Sequence, residues 1–347
     1  MNVADFDFDL PDELIAQDPP AERGGSRLLV VPKDDAPFTD ARFADLPALL
    51  DPGDLLVVND TRVYPARLLG HRVPSGGAVE CLLLESTGAD TWLALVHPGQ
   101  KLKPGAHVRF ESGTTVIEGE ILDHHFHGRR TVRLWRPDGG SVDEAVDAIG
   151  HIPLPPYIQR DDAASDRDRY QTVYARARGS IAAPTAGLHF TPAILSALNA
   201  RGVQMVTVTL HVGYGTFKPV RVDRVEDHAV DPEPFEVTEE TAAVIAEARR
   251  QGRRVIAVGT TTTRVLESLD VDGDRVRPGR GRTDLFIHPG HRFRVVQGLI
   301  TNFHLPKSSL LMLVSAFASR ERILAAYGEA VRRRYRFYSY GDAMLIR

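Results

Sequence analysis

The chain has 347 residues, 43% hydrophobic and 25% charged, which is enough to bury a core without disulfide or metal staples and excludes a disordered chain. Single cores seldom grow past roughly 250–300 residues, so a second folding unit is expected. A net charge of -4 and a pI near 6.4 exclude a nonspecific nucleic-acid coat, although not a local basic patch. One cysteine, Cys81, excludes an internal disulfide, CxxC zinc sites and cysteine-held iron–sulfur clusters, and it fits a reducing cytoplasm. The N-terminal segment is acidic and broken by proline, without the pattern of a signal peptide. No apolar run approaches the roughly 20 residues that cross a bilayer, so a soluble, cytoplasmic protein is expected.

Arg27–Val31 reads as a strand. From Asp54 to Trp135 the chain is a series of short β-rich runs: Asp54–Val58, Arg67–Val73, Val79–Glu85, Trp92–Val96, His107–Phe110, Thr115–Leu122 and Thr131–Leu134. Turn residues separate them, the pattern of a small antiparallel barrel or sandwich. After about Ser141 helices and strands alternate, as in an α/β layer. A helix is predicted from Thr191 to Gly202, with Thr191 as cap, Pro192 at the first position and Gly202 as the left-handed stop. Val203–Val212 follows as a strand. Thr238–Gly252 is a second helix, acidic at its start and basic at its end, and Arg254–Val258 is the next strand. Helices around Ser308–Ala318 and Arg320–Arg334 precede a strand-like Phe337–Ile346. Asp161–Arg169 reads as an exposed loop. The simplest architecture is an α/β domain of residues 1–60 and 145–347 with an antiparallel β-barrel domain, residues 61–144, inserted into it.

Several polar segments interrupt this pattern where ligands usually bind. Asn59-Asp-Thr-Arg62 ends a strand at the expected domain junction, and clefts between domains are common ligand sites. Pro184-Thr-Ala-Gly-Leu-His-Phe190 sets Thr185, Gly187 and His189 in a turn before a capped helix; taken alone, it reads as a helix entry. Leu210-His-Val-Gly-Tyr-Gly-Thr-Phe-Lys218 places His211, Gly213 and Thr216 at a strand end, either as a ligand crevice or as a glycine turn. Val258-Gly-Thr-Thr-Thr-Thr-Arg264 offers hydroxyls and free amides at a helix start, suited to a carboxylate, ribose or phosphate, but it is neither GxGxxG nor a P-loop. Asn302 and His304, two apart, share one side of a strand. Tyr335–Asp342 mixes aromatic rings with Asp342 next to Arg332, Arg333 and Arg334, a composition able to stack on bases and pair with phosphates. His124-His-Phe-His127 lies in a Gly/Arg-flanked turn and reads as a solvated loop, not as a metal site.

Together these segments resemble the S-adenosylmethionine:tRNA ribosyltransferase-isomerase family of queuosine biosynthesis. The strings FDFDLPDELIAQDPP, VVNDTRVYPARLLG, PTAGLHFT, TLHVGYGTF, VGTTTTRVLES, LITNFHLPKSSLLMLVSAF and YRFYSYGDAMLI carry the resemblance, in family order and nearly end to end. The resemblance implies transfer and isomerisation of the ribosyl part of S-adenosylmethionine onto the aminomethyl group of a 7-deazaguanine at the tRNA wobble position, giving epoxyqueuosine, adenine and methionine. It also implies an α/β domain with an inserted barrel, a monomer, and S-adenosylmethionine as a consumed substrate with no metal or other cofactor. The chain departs from the family at His228-Ala-Val-Asp-Pro-Glu233, where the usual string is His-x-Met-His-x-Glu and the second His is lost.

Such chemistry needs a base, donors for charge developing on adenine, and a dry pocket. His189, His211 and His304 are candidate bases, with Asp342 as acid or amine-orienting partner. Asn59, Arg62, Thr185, Gly187, Gly213, Thr216, Thr260, Thr261, Thr262, Arg264 and Asn302 are candidates for substrate binding. Arg67 and Arg332–Arg334, with Arg62 and Arg264, are candidate phosphate ligands, and Tyr338 and Tyr340 candidates to stack on the target base. Two other readings share these features: an S-adenosylmethionine-dependent paralogue acting on another nucleoside or base, and a noncatalytic RNA-binding protein.

Overall fold

The run LLVVN, Leu55–Asn59, is buried at every position, as a strand covered on both faces must be. It lies at the heart of a nine-stranded sheet in the computed structural model, which describes residues 1–347 apart from the side chains of His127, Thr216 and Phe217. From one edge the order is Gly279–Thr283, Glu233–Val237, Gln204–Leu210, Leu55–Asn59, Val255–Val258, Gly298–Asn302, Ala343–Ile346, Arg27–Val31 and Thr39–Arg42. Gln204–Leu210, Leu55–Asn59, Val255–Val258 and Gly298–Asn302 run parallel. Alternation divides the core between the two faces of the sheet: Leu55 and Val57 pack on one side, Leu56 and Val58 on the other.

Chain order makes this sheet doubly wound. After Leu55–Asn59 the chain returns through the helix Pro192–Ala200 to Gln204–Leu210 on one flank. It then crosses by the helix Glu239–Arg250 to Val255–Val258 on the other. The order therefore reverses at Leu55–Asn59, and a crevice opens at the carboxyl ends of the parallel strands, where open α/β sheets bind ligands. The caps predicted at Thr191 and Thr238 hold, their hydroxyls accepting from Ile194 and Thr241 N–H, and Ser308 caps its helix in the same way by accepting from Leu311.

Six antiparallel strands close a barrel in the order Arg129–Trp135, Thr91–His97, Ala78–Ser86, Arg67–Val73, His107–Ser112 and Thr115–His124. Its core is filled by alternate residues such as Trp92, Ala94 and Val96. An α/β domain with an antiparallel β-barrel is thus the fold class.

Asp54–Val58, read among the β-rich runs but placed with residues 1–60 in the α/β domain, forms the strand Leu55–Asn59 of the large sheet. Two expectations need correction. Within the expected loop Asp161–Arg169, the side chain of Asp166 is buried, ion-paired to Arg160 at 2.7 Å and accepting from the Tyr340 hydroxyl at 2.9 Å. The end of the chain is extended only over Ala343–Ile346, because Tyr338 takes a left-handed φ of 74° in the turn before it. In addition, the helix Val142–Ile149 packs Ala145 and Val146 into the barrel core, so a boundary at residue 144 cuts through it.

Candidate functional site

Asn59 ends the central strand and ties the crevice together. Its Oδ1 accepts from the N–H groups of Leu210 and Thr61, and its Nδ2 donates to the Leu210 carbonyl and the Thr261 hydroxyl. Every polar atom of this buried amide is therefore spent on aligning strand ends, which makes Asn59 a positioning residue. Asp60, also buried, accepts from Thr209 at 2.6 Å and pairs with Arg176 at 3.0 Å.

His211 extends from the neighbouring strand end. Its Nδ1 meets the Thr61 hydroxyl at 2.8 Å. Burial lowers its pKa below the ordinary imidazole value, opposed by the charges of Asp60 and Glu236. Gly179, at φ 153°, lies so close that a Cβ there would fall 2.8 Å from the imidazole Cε1, so the ring position requires glycine. His211 faces an open cleft of about 480 Å³ between sheet and barrel, whose walls include Tyr64, Trp92, Arg178, Gly213 and Arg282. That volume is in the range of small-molecule sites, at a domain junction where such sites concentrate.

The cleft is lined with paired charges. Asp231, which stands where the family string carries its second His, accepts from Arg129 of the barrel at 2.6 Å and from Lys218 at 2.7 Å. Burial raises its pKa, but these two cations outweigh that and hold it below the usual carboxylate value. His228 is half-buried, edge-on to Phe286. Glu233 accepts from the Gly213 N–H at 2.7 Å and from the buried Arg264 guanidinium, which also donates to the carbonyls of Thr283 and Leu285. Arg264 is thus internally engaged and not presented to a phosphate. Thr216 lies outside the described side chains.

Behind Val212, which lines both spaces, sits a smaller chamber of about 50 Å³. Thr185, Thr260, Thr261, Asn302, His304 and Tyr338 border it, so the structure gathers predicted residues from four separate segments. Gly259, at φ 90°, turns the chain from Val255–Val258 into the helix Thr260–Ser268, and among the described residues no side chain caps that helix. Thr262 and Thr263 turn their hydroxyls back to the carbonyls of Val258 and Gly259. His304 Nε2 bonds the Thr301 hydroxyl at 3.0 Å, and burial pushes its pKa down to about 3. Tyr338 stands edge-on to Tyr157 with ring centroids 3.8 Å apart.

The remaining candidates are placed elsewhere. His189 is buried with Nδ1 on the Ser26 hydroxyl at 2.9 Å; burial lowers its pKa to about 4, opposed by Asn302. His189 Nε2 and Asn302 Oδ1 make no hydrogen bond within normal distance, and Asn302 Nδ2 donates to the Tyr338 carbonyl. Gly187 packs beneath the Tyr174 hydroxyl. Asp342 accepts from the N–H groups of Arg27 and Arg336, both at 2.8 Å; burial raises its pKa, opposed by those bonds. Its oxygens fasten the chain end, which suits positioning better than acid catalysis. The buried Tyr340 gives its hydroxyl to Asp166 and has no free face for a base. Arg67 is paired through two nitrogens with Glu80, Arg332 and Arg333 with Glu329, and Arg334 with Glu13 at 3.8 Å. Arg62 is exposed.

Sequence reasoning did not single out Tyr157 and Tyr170 on the chamber wall or Tyr64 and Arg178 in the cleft. Tyr64 and the chamber residue Ser339 lie inside strings that were read, VVNDTRVYPARLLG and Tyr335–Asp342, whereas Tyr157, Tyr170 and Arg178 come from stretches with no local pattern.

The chain matches the family described as queuosine biosynthesis protein over residues 3–346. The chain belongs to that family. A protein named S-adenosylmethionine:tRNA ribosyltransferase-isomerase from Pelotomaculum thermopropionicum is 53% identical over 346 residues, covering 100% of both chains. One of the same name from Anaeromyxobacter sp. is 53% identical over 349 residues, covering 100% of this chain and 99% of its own. The crystal structure of S-adenosylmethionine tRNA ribosyltransferase from Thermotoga maritima is 36% identical and covers 99% of this chain and 100% of that one, with a TM-score of 0.55. The family match thus runs over nearly the whole chain, with His228 and Glu233 present and Asp231 at the altered position.

Proposed function

We propose that this protein transfers and isomerises the ribosyl moiety of S-adenosylmethionine onto 7-aminomethyl-7-deazaguanine at the tRNA wobble position, giving epoxyqueuosine-tRNA, adenine and methionine. The observation that carries this reading is the full-length match to enzymes named for that activity, at about half identity with no unmatched segment of consequence. S-adenosylmethionine is a consumed substrate, and the protein acts as a cytoplasmic monomer. The inserted barrel unit begins at residue 61 and, by its packing, extends through the helix Val142–Ile149.

The sulfonium supplies the driving force: it acidifies the ribose carbon beside it and departs as neutral methionine. His211 is the base that takes the proton from that carbon. It has the carboxylates of Asp60 and Glu236 to stabilise the imidazolium, and open space beside it for substrate. His304 and His189, with far lower pKa values, stay neutral and serve as fixed polar groups. The electron pair freed on the deprotonated carbon breaks the neighbouring carbon–oxygen bond of the ribose ring. The released oxygen becomes a carbonyl at the anomeric carbon, and adenine leaves with the glycosidic electron pair and takes up a proton. The aminomethyl nitrogen adds to the carbon that lost the ring oxygen and gives up a proton. The carbanion restored beside the sulfur closes a carbon–carbon bond onto the carbonyl, and the resulting alkoxide displaces neutral methionine as the epoxide closes. Tyr64 and Trp92 line the cleft that admits the flipped base.

Mass spectrometry of nucleosides from precursor-bearing tRNA, incubated with the protein and S-adenosylmethionine, tests the assignment. Epoxyqueuosine with matching adenine and methionine is expected. Folded protein that binds S-adenosylmethionine but modifies no nucleoside would instead be a paralogue with another acceptor.

A further inference from the structure

The barrel joins the sheet through the parallel ladder of Thr61–Val63 on Ala177–Ser180, and Ile181 and Tyr214 pack onto the barrel core. Two ion pairs also run between barrel and sheet, and all four of their residues line the cleft that His211 faces. Arg129 of the barrel donates to Asp231 at 2.6 Å. Arg282, in the edge strand Gly279–Thr283, donates to Glu85 of the barrel through both terminal nitrogens, at 2.8 and 3.4 Å.

Both pairs converge on one short segment. Asp231 also accepts from Lys218 at 2.7 Å, and the neighbouring Pro232 carbonyl accepts from Arg282 at 2.9 Å. A Cβ at Gly215 would fall 2.9 Å from that of Asp231, so the turn packs against the stem of the carboxylate and fixes where it stands. The next residue, Glu233, accepts from the Gly213 N–H in the cleft wall. The barrel's side of the cleft, with Tyr64 and Trp92, is thereby tied to the sheet's side, with His211 and Gly213.

The four side chains are between 28% and 48% exposed, and ion pairs so open to water add little to stability. Their effect is on geometry instead, where a misplacement of about 1 Å can cost on the order of 100-fold in rate. We infer that Asp231–Arg129 and Glu85–Arg282 form a clasp that sets the barrel wall at its working distance from His211, which makes all four positioning residues. This rests on the proposed function for the reaction that the clasp serves.

Reversing one pair tests it. Glu85→Arg and Arg282→Glu each set like charges face to face, and the two together rebuild the pair the other way round. Each single variant is expected to lower kcat/KM for epoxyqueuosine formation by at least about tenfold with little change in melting temperature, and the double variant to recover most of the loss. Contact with tRNA phosphates alone would move the two single variants in opposite directions, since one adds positive charge and the other removes it. Direct contact with substrate would leave the double variant as slow as the single ones. Either result overturns the clasp. Pulsed electron spin resonance reads the geometry without the reaction, between labels at Phe126→Cys, 89% exposed on the barrel, and Glu240→Cys, exposed on the helix Glu239–Arg250; Cys81 is buried and takes no label. A narrow distance distribution is expected with the native pair, a broad one in each single variant, and a narrow one again in the double. Single variants with an unbroadened distribution overturn the clasp alone. The expected distances in a protein that forms no epoxyqueuosine support the clasp and overturn the substrate assignment.

Discussion

Three imidazoles stand among the residues that the sequence marks as chemical, and their surroundings assign them different tasks. His211 has carboxylates nearby, and burial lowers its pKa below the ordinary imidazole value, so its basic form is present at neutral pH. The rate at low substrate should therefore be flat at neutral pH and fall as the solution is acidified below the ordinary imidazole range, and His211→Asn should lose roughly 10²–10⁴-fold in kcat while still binding S-adenosylmethionine. An acid limb that persists unchanged in His211→Asn would assign the base elsewhere. His189 and His304 bear on stability instead. Their folded pKa values, about 4 and about 3, lie below the unfolded value near 6.5, so their contribution is intact above pH ~6.5 and is lost as pH falls toward the folded values. Each should cost about 1.4 kcal/mol per pH unit over that window, seen as a falling melting temperature between pH 7 and pH 5. A melting temperature constant across that range would mean that both rings are already protonated or exposed. The sequence made all three histidines visible, but only burial and neighbours, which come from distant segments, separate the ring that faces the cleft from two that are fully enclosed.

At the scale of the element, the strand Glu233–Val237 and the helix Thr260–Ser268 are joined by the buried pair Glu233 and Arg264. The helix start and the glycine before it were legible in Val258–Arg264, as was Glu233 in its altered string. That the two face each other was not, because their contact depends on strands being neighbours in space. Arg264 was consequently expected to meet a phosphate, whereas it meets a carboxylate. Glu233→Ala removes the charge partner of a buried guanidinium and the acceptor for the Gly213 N–H, and should cost about 3–5 kcal/mol in urea denaturation. Glu233→Gln keeps an acceptor and should cost less. Equal, small losses for both would show that the guanidinium is satisfied by the Thr283 and Leu285 carbonyls alone.

For the whole molecule the deciding fact is that the barrel and sheet frame one cleft at the reversal point of the strand order. The six barrel runs were readable from their alternation and turns, because an antiparallel strand with one face outward carries its pattern locally. Leu55–Asn59, buried on both faces, has no alternation to separate it from its barrel neighbours. Net charge hides the interface in the same way: a chain of charge -4 must meet a polyanion through a few arginines. Arg62 is exposed within the strand Thr61–Val63, whereas Arg67, on the wall of a cavity of about 590 Å³, is paired with Glu80 and Arg332–Arg334 with Glu329 and Glu13. Each phosphate contact adds roughly 0.7–0.9 to the slope of log affinity against log salt. Reversing Arg62 to Glu should therefore weaken tRNA binding and lower that slope by about one contact's worth, with S-adenosylmethionine affinity unchanged, and reversing Arg67, which is already paired with Glu80, should do less. Reversing Arg332–Arg334 should do less, because carboxylates already offset much of their charge. A slope that neither set alters would place the anticodon on a different face from the one the cleft defines.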